Sequence, residues 1–132
     1  MNKIILNNWI YANSSHTIDL IRFFGGEIKK IHSISSNYQS RNQNNFISSF
    51  QFKSGAIGTY QSFWLSPDSW SVKLYGAGLT VEFKPLEEGI VTLSNFKIKK
   101  IKPDIVDIKF KPGFYEQAEY FHKQLKMYFQ YH

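Results

Sequence analysis

Apolar and polar positions change their period twice along this chain. From about Asn13 to Phe24, Leu20, Ile21 and Phe24, with Thr17, fall on one face at helical spacing, which predicts a first helix. Asn13 or Ser14 stands where a side chain can cap the helix's free N–H groups, and Gly25 can take the left-handed conformation that ends a helix. Strand patterns follow. Glu27 to Ser36 offers Ile28, Ile31 and Ile34 to a core, and their spacing of three implies a bulge or twist. After a polar loop over Asn37 to Asn45, Phe46, Ser48, Phe50 and Phe52 share one parity while Ile47, Ser49 and Gln51 take the other. Lys53-Ser54-Gly55 turns the chain, and Ala56 to Leu65 returns as the hairpin partner.

Further strands are predicted over Trp70 to Gly76, Leu79 to Phe83, Gly89 to Leu93, Phe96 to Ile101 and Ile105 to Phe110. The period lengthens again after Pro112-Gly113. Phe114, Ala118, Phe121, Leu125 and Tyr128 form an apolar stripe along a second helix, Phe114 to Gln130, and the stripe reads as core. The implied class is α+β: a mostly antiparallel, twisted sheet with helices packed on one face. The other face is left open, and its aromatic residues call for a partner chain or partner domain.

Composition narrows this picture. A chain of 132 residues with 42% hydrophobic content is one domain, 1–132, able to bury a core. The absence of cysteine excludes disulfides, thiolate metal sites and cysteine nucleophiles, and permits a cytoplasmic location. Neither the N-terminal run Ile4-Ile5-Leu6 nor any later one reaches the length of a signal peptide core or a membrane span. The net charge of +6 admits an anionic partner, but the lysines are dispersed, as on a solvated surface. The densest group is Lys97, Lys99, Lys100 and Lys102.

Candidate chemistry concentrates at the first helix. His16 stands on its first turn, where the ring can meet an anionic or carbonyl oxygen near the positive end of the dipole. Asp19, three residues on, can share that surface and raise the imidazole's basicity, as proton transfer requires. Alternatively, His16 is satisfied by ordinary hydrogen bonds and Asp19 pairs with Arg22 or backbone. His16, His32, His122 and His132 show no spacing that suits metal ligation. Ser14 and Ser15 lack a Gly-x-Ser-x-Gly turn. Gly76-Ala77-Gly78 lacks the third glycine and following helix of a dinucleotide site. Tyr60, Phe63, Trp64 and Trp70 could stack bases, but no RNA-binding strand motif accompanies them, and core or interface is the simpler reading.

Several segments resemble, in order, the C-terminal domain of the glucose–fructose oxidoreductase/inositol dehydrogenase/MocA family. Ser15-His16-Thr17-Ile18-Asp19-Leu20, with Phe23 to Ile28, is similar to the family's "H-x-x-D-L … G-x-x" helix. Phe50 to Gly58 resembles its "l-x-f-x-n-G-a-x-g" hairpin, Val72 to Leu79 its "i-x-G-x-x-G" strand pair, and Phe114 to Phe121 its late helix. The resemblance runs from Trp9 to Leu125. It implies an NAD(P)-dependent sugar or cyclitol oxidoreductase of two domains. In such enzymes a separate Rossmann domain holds NAD or NADP and supplies a Glu-Lys-Pro lysine, while this domain contacts substrate and forms homo-oligomers through its open sheet.

On that resemblance His16 is the catalytic candidate, for proton transfer or for hydrogen bonding the reacting hydroxyl, with Tyr11, Asn13 and Ser15 lining the same pocket mouth. Ala12 departs from the pattern, since family members often carry an aspartate there. Phe83-Lys84-Pro85 and Phe110-Lys111-Pro112 only mimic the lysine motif. No cofactor-binding segment is found in this chain, so it is expected to be inactive in hydride transfer by itself. Two alternatives are a stand-alone interaction module that only oligomerises and a basic nucleic-acid-binding domain.

Overall fold

The computed structural model describes residues 8, 10–39 and 41–130, with the backbone alone for Ala12 and Asn13. Ile4-Ile5-Leu6, Trp9 and His132, read above, lie outside the described residues. The chain divides into two compact units, Met1–Pro67 and Asp68–His132. The class is α+β, and both sheets are antiparallel throughout.

The first unit opens with a π-helical turn, Ile10–Ser14, that passes into helix α1, Ser15–Gly25. The expected side-chain cap is not made: Ser14 sits at the N-cap in a helical conformation and turns its hydroxyl elsewhere. Nor does Gly25 end the helix. Gly25 remains in it, and Gly26, at φ +80°, leaves it while donating its N–H to the Arg22 carbonyl. Gly25 is needed for another reason, because a Cβ there would overlap the ring of Phe52.

Strands β1 (Ile28–Ser36), β2 (Asn45–Phe52) and β3 (Ile57–Phe63) pair in that order. The pairing slips between Ile28 and Lys30, so Ile28 aligns with Phe52 and Ile31 with Phe50. This bulge puts two isoleucines three residues apart on one face. Ile34 aligns with Ile47 on the opposite face, so the three expected core isoleucines divide between faces. The parity predicted for β2 holds: Ser48, Phe50 and Phe52 are buried, and Ser49 and Gln51 are exposed. Phe50, Phe52 and Tyr60 form the core, with Ile21 of α1, Ile28 and Phe46 packed against it. Phe24, expected on the core face, is 43% exposed because the inward face of α1 runs through Ile21 and Gly25.

Asn44 organises the loop between β1 and β2. Fully buried, it uses both backbone and side-chain groups. Its N–H donates to the Ser36 carbonyl (3.1 Å) and its carbonyl accepts from Trp64 N–H (3.3 Å). Its Oδ1 accepts from Tyr38 N–H (2.9 Å) and its Nδ2 donates to the Tyr38 carbonyl (2.8 Å).

The second unit is a four-stranded meander, β4 (Val72–Gly76), β5 (Leu79–Phe83), β6 (Gly89–Leu93) and β7 (Ile98–Ile101), in sequential order. Val72, Leu74, Val81, Phe83 and Val91 line one face by register. Two expectations fail beyond it. The predicted strand at Ile105 to Phe110 is a short helix, α2 (Ile105–Lys109). Its β-branched residues favour a strand, but local bonds win: Ile108 N–H donates to the Asp104 carbonyl and Phe110 N–H to the Val106 carbonyl. The Asp107 carboxylate also accepts from Gly113 N–H at 2.8 Å.

The second correction concerns α3 (Phe114–Gln130), which forms where predicted but does not bury its stripe. Every residue of it is exposed, Phe121 by 64%. An apolar stripe reveals which face favours burial, and it does not supply the surface that would bury it.

Candidate functional site

The π-turn and the first turn of α1 carry the predicted residues, and burial sorts them. Ser14 is 3% exposed, whereas Ser15 and His16 next to it are exposed and Tyr11 is 81% exposed. The backbone of Asn13 belongs to the same π-turn, and its side chain lies outside the described residues. Tyr11, Ser15 and His16 are therefore each exposed at the start of one helix, and Ser14 among them is buried. Asp19 is exposed as well. Arg22 pairs with Glu27 at 3.7 Å rather than with Asp19.

The interaction that sequence reasoning missed is beneath the site. Tyr60 on β3 donates its hydroxyl to Ser14 Oγ at 2.6 Å, a buried bond between residues 46 apart in sequence. Its ring belongs to the Phe50–Phe52 core. The position of Tyr60 on the buried parity of β3 was the available signal, since a buried tyrosine hydroxyl needs a partner.

Register bears on two other candidate surfaces. Tyr60 and Phe63 lie on opposite faces of the sheet, so these two share no stacking platform. Lys29-Lys30 sits on β1 and Lys99-Lys100 on β7, both edge strands, where lysines discourage strand addition. The face of the first sheet opposite α1 is open: Ile34, Ile47, Ile57 and Phe63 are exposed on it, Ile57 by 83%.

Among the described residues, no group of three or more His, Asp or Glu side chains converges to hold a metal. The Gly76-Ala77-Gly78 turn does not fit a dinucleotide either. Gly76 pairs with Leu79 across the tight β4–β5 turn, whereas a pyrophosphate site needs a parallel strand turning into a helix N-terminus. No described helix is long and apolar enough to cross a membrane. One electrostatic feature stands apart from the site. The Lys84 ammonium, hydrogen bonded to Asp68, holds that carboxyl below the usual aspartate range, helped by the Ser69 N–H.

Comparison with known proteins gives one family. The model of the GFO/IDH/MocA C-terminal domain matches residues 7–82, more than half of the chain. Solved structures with a similar fold include levoglucosan dehydrogenase in complex with NADH and L-sorbose, at 14% identity and TM-score 0.59. That match covers 68% of this chain and 30% of the dehydrogenase. An oxidoreductase from Agrobacterium radiobacter, in complex with NAD+, L-tartaric acid and magnesium, matches at 16% identity and TM-score 0.59. Here 78% of this chain and 33% of the other are covered, so this chain spans about a third of these proteins. No curated protein matches.

Proposed function

Because this chain belongs to the GFO/IDH/MocA C-terminal domain family, we propose that it is the substrate-facing, self-associating domain of an NAD(P)-dependent sugar or cyclitol oxidoreductase. The observation that carries the reading is the solvent-side group of Tyr11, Ser15 and His16 on a helix start that the family match includes. The fold's likeness to enzymes crystallised with L-sorbose and L-tartaric acid supports polyhydroxylated substrates.

In this reading His16 accepts a hydrogen bond, and then the proton, from the reacting hydroxyl of the substrate. Ser15 and Tyr11 offer hydroxyls that fix neighbouring groups of the same molecule, and Asn13 adds an amide from the same turn. In this reading, as the family resemblance implies, the cofactor belongs to a separate Rossmann domain and this domain binds and orients the substrate. The open face of the first sheet, with Ile34, Ile47, Ile57 and Phe63, is the proposed homo-oligomer surface. The same face also suits a stand-alone interaction module, the second reading. A cytoplasmic setting accords with the absence of cysteine.

Titration of the labelled protein with L-sorbose and myo-inositol, followed by NMR, tests the site. Shifts centred on Tyr11, Ser15 and His16 are expected, and their loss in His16→Ala. Shifts confined to other residues, or saturable NAD(H) binding by this chain alone, would remove the reading. Light scattering separates the alternative: a dimer that Ile47→Lys splits, with no response to either polyol, leaves only the interaction module.

A further inference from the structure

We propose that Tyr60 is a positioning residue for His16, acting through its buried hydrogen bond to Ser14. The inference rests on the reading of His16 as the substrate-facing group. Ser14 closes the π-turn and precedes α1, so it marks the junction between two helical geometries. A π-turn closes over one residue more than an α-turn, and moving the junction by one residue rotates everything that follows. The junction therefore decides which side chains of the next turn face solvent.

Ser14 has no capping role that would fix this point locally, since its side chain makes no cap bond. It is fixed from outside. The Tyr60 ring is held with Phe50 and Phe52 on a strand paired along its length with β2, and its hydroxyl reaches Ser14 Oγ at 2.6 Å. With Ser14 pinned inward, Ser15 and His16 are left outward. Sliding the junction by one residue would carry Ser15 or Asn13 into the buried place and turn the imidazole away from its present direction. π-turns recur at functional sites, and this one has its end tied to the core by the Tyr60–Ser14 bond.

Tyr60→Phe removes the hydroxyl and keeps the ring. Amide hydrogen exchange at residues 15–18 is expected to quicken by about three- to tenfold, the scale of one neutral hydrogen bond. Amides of Phe50 and Gln51 on β2 are expected to keep their rates, and the His16 Cε1–H signal to move. Ser14→Ala should reproduce both effects, the double variant should go no further than either single one, and Ser14→Thr, which keeps a hydroxyl, should restore the parent behaviour. Equal quickening across β2 and α1 would mark the bond as a core brace and overturn the proposal. Unchanged exchange at residues 15–18, or a His16 signal that stays in place, would also overturn it. Because no sugar enters these measurements, a failure of the polyol titration counts against the site reading and not against this result.

Discussion

The helices α1 and α3 carry comparable apolar stripes, yet α1 lies against the sheet of its own unit while every residue of α3 is exposed. Ile21 of α1 packs on Phe50, Phe52 and Tyr60, Gly25 lets the helix end close onto the Phe52 ring, and Tyr60 ties the helix start down through Ser14. α3 is longer, has more aromatic residues, and buries none of them. The difference is not in the helices' own patterns. Beneath α1 there is a sheet face already apolar by register, a small residue at the closest approach and one directional bond. Complementarity of this kind is a property of two surfaces, and a stripe describes only one.

The comparison breaks most visibly at Phe52. Phe52→Ala should destabilise the first unit by about 3–5 kcal/mol, whereas Phe121→Ala in α3 should stay within about 0.5 kcal/mol. Urea unfolding followed by circular dichroism checks both, and a Phe121 cost matching that of Phe52 would end the contrast. Gly25→Ala comes next, at about 1–3 kcal/mol, since the new methyl meets an aromatic ring on a paired strand with little room to move. Thermal melting reads this change, and no shift would show that α1 does not approach the sheet so closely.

The smallest effect is electrostatic and lies in the second unit. The Asp68 carboxyl is held below its ordinary value in the folded chain, so its contribution is present above the unfolded aspartate value. That contribution is lost as pH falls through the lower folded value. Asp68→Asn should therefore flatten a slight acid-side decline in melting temperature below about pH 4. Because both side chains are largely exposed, only a small change is expected, and an acid-side decline of the same slope in the variant would count against it.

What could be read from the sequence follows the same division. The α+β class, the parity of β2, the β1 bulge and the extent of α3 were legible because each depends on the spacing of side chains along one element. Helix α2 was not, since Ile105, Val106 and Ile108 favour strands and the bonds from Asp104 and Asp107 that override them depend on local backbone geometry. The burial of α3 was misread for want of the second surface. At the helix start, His16 was recognisable from its place on the first turn, whereas Ser15 and Tyr11 came only with the family resemblance. Ser14 was legible only as a cap, because the hydroxyl it meets is 46 residues away and no spacing rule connects them.

Asn44 has a consequence for how this domain can change. With its amide matched to Tyr38 and its backbone to Ser36 and Trp64, the end of the sheet closes at that residue. The described residues between Tyr38 and Asn44 are relieved of setting strand register, although the Gln43 amide oxygen still accepts from Ser35 Oγ at 2.6 Å. Asn44→Asp keeps the shape and loses the amide donor, leaving a carboxylate facing the Tyr38 carbonyl, so even this smallest chemical change undoes the closure. Asn44 thus acts as a latch on this loop, and among the described residues of the segment substitution costs most there.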